Sequence, residues 1–287
     1  MTSDGAVAPV RGGTLSGLGP LPFDTSRGHQ ARMYDYLLGG KDNYAADRAA
    51  AEAALKIWPG MAFAARANRA FLGRAVRYLT AKAGIRQFLD LGTGFPAAGG
   101  THQVAQAIAP ETRVAYVDYD PVVLAHARAL LTSTETGATG YIDADLRDTG
   151  TILAQATELL DFTRPTAVML VAILHVIPEA DDPYAITARL LDAVPTGSYL
   201  VISHLGADLL GQDQQDGLAN LADRMTHQTP VPRTRQQVAS FFQGTQLAEP
   251  GLVPAELWRP GPGTSATGNS CLWSAVARKH SPARART

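Results

Sequence analysis

From residue 85 onward, short apolar runs alternate with helical patterns, and this alternation limits the possible folds more than any other feature. The runs are IRQFLDLG, RVAYVDYD, TGYIDADL, TAVMLVAILHVI and GSYLVISHL, with helical segments such as PVVLAHARALL and AITARLLDAV between them. The fourth run is almost entirely apolar, as strands covered on both faces are. Repeated strand–helix units predict an α/β fold with a mostly parallel, doubly wound sheet. A last strand in SCLWSAVARK is expected to close one edge of the sheet.

The rest of the chain divides around this core. Residues 27–83 are rich in alanine and predict helices that form an N-terminal cap or lid, with Gly39-Gly40 as a hinge. We expect one domain over 27–278, with its core at 84–278. Residues 1–26 are rich in Gly, Ser, Pro and Thr and predict a flexible leader, and 279–287 predict a basic tail.

Composition excludes several classes of protein. The formal net charge is −1, so no overall field attracts nucleic acid or a membrane surface. No apolar run approaches the ~20 residues that cross a bilayer. A single cysteine, Cys271, forms no internal disulfide and fits a reducing cytoplasm. No His, Asp and Glu cluster has metal-ligand spacing, so no metal is expected.

Acidic residues follow three successive predicted strands, and they are the most informative candidates for a site. Asp90 lies in FLDLG, Asp118 ends AYVD and Asp145 lies in IDADL. Parallel sheets bind ligands beyond the carboxyl ends of their strands. A carboxylate one βαβ step after the first strand can accept both hydroxyls of a ribose, which predicts a nucleoside site. Asp120 and Asp143 are expected to cap helices or face solvent.

The turn after the first strand indicates which nucleoside-containing cofactor the site binds. Gly92 and Gly94 resemble a dinucleotide turn, but the third glycine is absent and Pro96 lies in that stretch. A pyrophosphate needs the close backbone approach that all three glycines allow, so the turn disfavours NAD. S-adenosylmethionine has no pyrophosphate and needs only the tight turn. The cofactor site is predicted to include Thr93, Tyr119 and Leu146 beside these residues.

Several segments resemble a known family. ARMYDYLLGGKDNYAADR, RANRAFLGRAVRYL, GIRQFLDLGTGFP, VAYVDYDPVVLAHARALL, LHVIPEADDP and GSYLVISH are similar to an S-adenosylmethionine-dependent methyltransferase family of actinomycetes. The resemblance covers about residues 27–278. It implies the Rossmann-like class I methyltransferase fold, with seven strands and an antiparallel last strand. It also implies that Asp118 binds the ribose and Asp145 the adenine.

The chain departs from that family after the proline. The family has a threonine, an asparagine and a His-Glu pair there, whereas this chain has Ala97, Gly99, Gly100 and His102-Gln103. A polar contact from the start of the following helix is therefore in question.

Candidates for catalysis come from the fourth strand and the cap. His175 lies at the end of the predicted fourth strand and could line the pocket or accept a proton. Tyr34 and Tyr36 are cap residues that could take part in catalysis. Arg66 and Asn68 are predicted to reach the cofactor, and Arg69 could also pair with its carboxylate. His204 is a weaker candidate.

The leading hypothesis is O- or N-methylation of a small molecule in secondary metabolism, by a cytoplasmic protein that could form a homodimer. No nucleic-acid or membrane partner is expected. A protein that binds S-adenosylmethionine without turnover is the alternative, and a nicotinamide oxidoreductase is disfavoured.

Overall fold

The computed structural model describes residues 24–96, 98–130, 133–221, 230–261 and 268–280, with side chains omitted for 126–130. Most of the predicted leader (1–23) and tail (281–287), as well as Ala97, lie outside the described residues.

Helices come first along the chain and then alternate with strands. The helices are Gln30–Leu37 (α1), Ala45–Ile57 (α2), Met61–Ala81 (α3), Thr101–Gln106 (α4), Pro121–Leu130 (α5), Thr149–Ala156 (α6), Pro183–Asp192 (α7), Gln212–Ala219 (α8) and Arg235–Ser240 (α9). The strands are Gln87–Leu91 (β1), Arg113–Asp118 (β2), Ala138–Asp143 (β3), Ala167–Val171 (β4), Tyr199–Leu205 (β5), Thr245–Leu247 (β6), Val253–Pro254 (β7) and Leu272–Lys279 (β8).

The strands form one sheet in the order β3-β2-β1-β4-β5-β8-β6. Strands β1 to β5 are parallel, and β8 pairs antiparallel with β5. The antiparallel last strand is therefore confirmed. The described sheet has one strand more than expected, because the two-residue β7 also pairs with β8.

The fourth strand is shorter than its apolar run predicts. The run extends to residue 177, but β4 ends at Val171, where Ala172 takes a φ of 58° and a 3₁₀ turn follows at Leu174–Val176. His175 therefore lies in this turn, beyond the end of the strand rather than in it.

Apolar side chains cover both faces of the sheet, as the buried strands require. Phe88 of β1 packs with Phe71 of α3 in one apolar cluster, while the next residue, Leu89, packs with Ile152 of α6 in the other. Successive strand residues point to opposite faces, so each strand contributes to both clusters. The cap helices α2 and α3 thus cover one face of the sheet.

Buried charges attach the first helix to the rest of the molecule. Arg32 Nε lies 2.9 Å from Asp47 Oδ2 of α2, and His29 Nδ1 lies 3.0 Å from Asp120 Oδ2 after β2. Asp120 also caps α5 by accepting the Val122 N–H at 2.8 Å. The predicted role of Asp120 in capping a helix is confirmed. Its side chain is buried beside His29 and does not face solvent.

The Gly39-Gly40 turn is tied to the helix before it. Asp35 Oδ2 accepts hydrogen bonds from the Asp42 N–H and from Asn43 Nδ2, both at 2.8 Å. A side chain at Gly40 would overlap the Asp35 carboxylate. The hinge role of this turn stays a prediction.

Candidate functional site

The carboxyl ends of β1, β2 and β4 open into a cavity of about 880 Å³, closed on its other side by α1 and α3. Pockets for small molecules have volumes of roughly 300–1,000 Å³, so this one is among the larger. Its position is the one that a parallel sheet favours for a ligand.

Gly92 forms the tight turn after β1. Its φ is +69°, and its N–H donates to the Val117 carbonyl at 2.9 Å. A Cβ atom at this position would overlap the side chain of Ile173, in the loop after β4. Glycine is thus required here both by the left-handed backbone and by the contact between two loops.

Asp118 holds the turn in place. Its Oδ2 accepts the Gly94 N–H at 2.9 Å, and its Oδ1 accepts the Tyr119 and Asp120 N–H groups at 2.9 and 3.0 Å. A carboxylate offers roughly four acceptor positions, of which these bonds take three. Asp118 is therefore a structural tie between β2 and the glycine turn, besides its predicted role toward a ribose.

Asp90 is a buried carboxylate at the centre of the site. The Thr101 hydroxyl donates to its Oδ2 at 2.6 Å. Burial raises the pKa of Asp90 to about 6, against the lowering effects of this hydrogen bond and of the Arg69 charge. An ionised carboxylate in such surroundings favours a cationic ligand beside it.

The third aspartate lies farther out. Asp145 comes two residues after the end of β3, and its Oδ2 lies 2.8 Å from Arg147 Nη1. Arg147 also pairs with Asp181 at 2.7 Å. Asp145 and the buried Leu146 both line the cavity, as their predicted position at the adenine end requires. Thr93 and Tyr119 line it as well.

The start of α4 keeps a polar contact despite its unusual residues. Gln103 Oε1 accepts the N–H groups of Gly99 and Gly100 at 2.7 and 3.3 Å, and Gly99 has a φ of +75°. This capping places Thr101 against Asp90. The question raised by the AAGGTHQ segment is thus answered by Thr101, which supplies the polar group that faces Asp90.

A hydrogen-bonded chain joins two residues that line the cavity, Tyr34 and Asn68, to the buried Ser203 of the sheet. The Tyr34 hydroxyl donates to the Ala65 carbonyl and accepts from Asn68 Nδ2, both at 3.0 Å. The Ser203 hydroxyl of β5 donates to Asn68 Oδ1 at 2.5 Å. We call Tyr34, Asn68 and Ser203 the polar seam. Burial raises the pKa of Tyr34, so its hydroxyl keeps its proton.

Two predicted site residues do not line the cavity. The Tyr36 hydroxyl donates to Glu52 at the surface, at 3.1 Å, and Arg66 is exposed on α3. Helix residues two apart point in different directions, so Tyr36 cannot share the orientation of Tyr34, nor Arg66 that of Asn68. The structure does not support a catalytic role for Tyr36 or a cofactor contact for Arg66. Arg69, one turn beyond Arg66, does line the cavity.

His175 lines the cavity in neutral form. Burial, with a smaller effect of the Arg233 charge, lowers the pKa of its imidazole to about 4. Its Nδ1 has no hydrogen-bond partner among the described residues. His204, the weaker candidate, is fully buried: its Nε2 lies 2.9 Å from Arg233 Nη1 and its Nδ1 2.9 Å from the Leu205 carbonyl.

Away from the aspartates, the cavity continues into a region that we call the apolar arm. Apolar side chains line it, from α2 and the residue after it, α3, the end of β5, α8 and the second residue after it, and the start of β8: Ala54, Trp58, Met61, Ala64, Leu72, Leu205, Leu218, Leu221 and Leu272. Sequence reasoning missed this arm entirely. Apolar periodicity marks these residues as buried but does not show that they surround a space instead of filling it.

The sheet order, the antiparallel last strand and the cavity beyond the strand ends define a class I methyltransferase fold. A model of the S-adenosyl methyltransferase family matches residues 19–280, and the chain belongs to this family. S-adenosylmethionine is therefore its cofactor, and the chain is an S-adenosylmethionine-dependent methyltransferase. The buried Asp90 beside the glycine turn fits the ammonium group of that molecule.

Solved structures agree with this assignment. A DUF574 family protein from Streptomyces avermitilis is 41% identical, with a TM-score of 0.85 over 89% of this chain and 99% of the other. A candidate methyltransferase from Thermobifida fusca is 40% identical, with a TM-score of 0.80 over 90% and 97%. An O-methyltransferase family protein from Burkholderia thailandensis, 16% identical with a TM-score of 0.50 over 77% and 60%, shares only the fold. A search of curated proteins returns no match.

Two further observations concern the described part of the chain alone. It contains no group of three or more His, Cys, Asp or Glu side chains that could hold a metal ion. Its helices also include none with the length and apolar character that crossing a membrane demands.

Proposed function

We propose that the chain methylates an oxygen or nitrogen atom of a small molecule bound in the same cavity as the cofactor. The observation that carries this proposal is the continuity of the cavity from the three aspartates into the apolar arm. The first part suits a nucleoside, and the apolar lining of the second suits another small molecule beside it.

In this proposal the cofactor supplies an electrophilic methyl group on a sulfonium. Asp90 contacts the ammonium group, Asp118 the ribose, and Asp145 with Leu146 the adenine. Gly92, Thr93 and Gly94 form the turn against the amino-acid part, and Tyr119 borders the nucleoside. The protein contributes mainly alignment and the exclusion of water, which α1 and α3 provide by closing the cavity.

Calorimetry with S-adenosylhomocysteine tests the cofactor assignments. Wild-type protein is expected to bind it, and Asp118→Ala to bind it at least about tenfold more weakly, because the ribose and the glycine turn both lose a partner. Asp143→Ala is the control, since Asp143 is exposed at the end of the neighbouring strand. An unchanged affinity in Asp118→Ala would refute the ribose contact.

Transfer of labelled methyl groups tests the acceptor class. Protein incubated with S-[methyl-¹⁴C]adenosylmethionine and a cell extract is expected to label the small-molecule fraction. Label found only in protein or RNA would contradict a small-molecule acceptor.

A further inference from the structure

The charged side chains of the cavity are separated from the apolar arm. Asp90, Asp118, Asp145 and Arg147 lie by the strand ends, and Asp35 is held by the turn that follows α1. Arg69 of α3 also lines the cavity, where its charge acts on Asp90 and its guanidinium donates to the Ala98 carbonyl at 3.2 Å. None of the residues that line the arm is charged. An ionised group placed there would lose its hydration with no opposite charge in contact, which costs several kcal/mol even when the protein relaxes.

We propose that the methyl acceptor is an uncharged, mainly apolar molecule that presents a hydroxyl group to the polar seam. This inference rests on the proposed function and specifies its substrate class. It removes Asn68 from the predicted cofactor contacts and assigns it to the acceptor.

The polar seam has the hydrogen-bonding capacity that a hydroxyl needs. Asn68 Nδ2 uses one of its two protons on Tyr34, and Asn68 Oδ1 has one lone pair left beside Ser203. The seam can therefore both donate a hydrogen bond to a hydroxyl oxygen and accept one from the hydroxyl group. Asn68 is one turn from Ala64 and from Leu72 on α3, so this pair of polar atoms lies within the apolar wall.

An aliphatic amine fits less well than a hydroxyl. It would arrive as an ammonium ion, and every carboxylate that lines the cavity lies outside the arm. A hydroxyl enters without charge and loses its proton only as it reacts. The new oxygen–carbon bond forms as the methyl–sulfur bond breaks, the electron pair of that bond stays on sulfur, and the hydroxyl proton passes to the neutral imidazole of His175.

Probes that share a naphthalene ring and differ in charge test the charge preference. Calorimetry is run on protein saturated with S-adenosylhomocysteine, so binding of that ligand is established first. We expect 2-naphthol to bind, and 6-hydroxy-2-naphthoate and 2-(aminomethyl)naphthalene to bind at least about tenfold more weakly at pH 7.5. No binding of 2-naphthol, or equal binding of either ion, would overturn the inference. Failure to bind S-adenosylhomocysteine would instead refute the proposed function.

Filling the arm tests the location. Ala64 lines the arm, while Ala70 is exposed on the same helix, so Ala64→Phe and Ala70→Phe form a matched pair. Ala64→Phe is expected to weaken the binding of 2-naphthol at least about tenfold and to change the affinity for S-adenosylhomocysteine by less than about twofold. Ala70→Phe is expected to change neither. Met61→Trp, at a half-buried position of the arm, gives the same test if Ala64→Phe folds poorly. Normal 2-naphthol binding in a folded filled variant would place the acceptor elsewhere.

Tyr34→Phe tests the seam as a positioning element. Removal of one neutral hydrogen-bonding group is expected to weaken 2-naphthol by roughly 2- to 12-fold. Naphthalene, which has no hydroxyl, should bind the variant and the wild-type protein alike, whereas a general distortion of the arm would weaken both probes. Equal losses for the two probes would contradict a hydroxyl contact at the seam.

Discussion

At the scale of single residues, Asp90 carries the clearest conflict between stability and binding. Its carboxylate is 5% exposed and has one hydrogen bond, from Thr101. The folded chain therefore holds a costly negative charge at neutral pH. Such a charge is useful when a cationic ligand occupies the space beside it.

We expect Asp90→Asn to weaken the binding of S-adenosylhomocysteine by roughly 10- to 100-fold, because the ligand loses a charged hydrogen-bond partner. In wild-type protein the affinity should fall as pH drops through about 6, where the raised pKa of Asp90 lets it take up a proton. The variant should lack this pH dependence. Calorimetry from pH 5 to 8 measures both, with Asp143→Asn as the exposed control.

The same substitution has an opposite effect on stability. Because the folded pKa of Asp90 is raised from 3.8 to about 6, the folded state binds the proton more tightly and loses stability as pH rises through this window. The variant has no such loss. Between pH 4 and pH 7 its unfolding free energy should gain on wild type by up to about 3 kcal/mol in denaturant titrations. A difference in unfolding free energy between variant and wild type that does not change with pH would show that Asp90 is not a buried acid.

The protonation of His175 should change the free energy of unfolding with pH in the direction opposite to that of Asp90. Its folded pKa, lowered to about 4, means that the unfolded chain binds a proton between pH 6.5 and 4 while the folded chain does not. The stability of wild-type protein relative to His175→Gln should therefore decrease as pH falls through this range. Other histidines titrate in both proteins and cancel. A constant difference in urea midpoints across this range would mean that His175 is accessible to protons.

At the scale of elements, the apolar alternation predicted β1 to β5 and the helices α4, α5 and α7 between them, and the family resemblance implied the antiparallel last strand. It failed where local backbone geometry overrides the pattern, as at Ala172, whose positive φ ends β4. The residues of the glycine turn were also predictable, since positive φ and acidic strand ends have recognisable signals. The direction of a helical side chain was not, as Tyr36 and Arg66 show, because it depends on which face of the helix packs on the sheet.

The attachment of the cap should depend on the buried pair of Arg32 and Asp47. Asp47→Ala removes the nearer of two buried carboxylates from the Arg32 guanidinium and leaves Asp120, at 3.7 Å, as the remaining one. The loss is expected to approach the roughly 3–5 kcal/mol that breaking a buried ion pair typically costs. We expect urea titrations to show this loss and hydrogen exchange to show faster exchange in α1. Glu52→Ala, which removes the exposed partner of Tyr36, should cost less than about 0.5 kcal/mol. Similar losses in the two variants would mean that the buried pair does not attach α1.

At the scale of the whole molecule, the cavity has one wall from the cap and another from the strand ends. Its lining residues extend from His29 to Leu272 along the chain. No motif spans such distances, so the sequence alone could not predict the arm or the polar seam. It could predict the end with the three aspartates, where we propose that the cofactor binds, because its residues lie within a few positions of three successive strands.

Because the cap and the strand ends both form walls of this cavity, we expect a bound ligand to stabilise both of them. S-adenosylhomocysteine at 100 times its dissociation constant should raise the unfolding free energy by about 2.7 kcal/mol. Hydrogen exchange should slow in α1 and α3 as well as in the turn after β1. Slower exchange in the turn alone would show that the cap does not contribute to cofactor binding. Asp118→Ala, treated with the same ligand concentration, is the control.

The division of the cavity wall also bears on how such a protein can diverge. The cofactor end depends on the glycine turn, where even a methyl group would collide with Ile173, and on carboxylates engaged by backbone N–H groups. The apolar arm depends on side chains of α2, α3 and α8, which tolerate changes of size more readily than a strained turn does. New acceptor preferences can therefore arise by exchange of a few helix residues while the reaction chemistry stays intact.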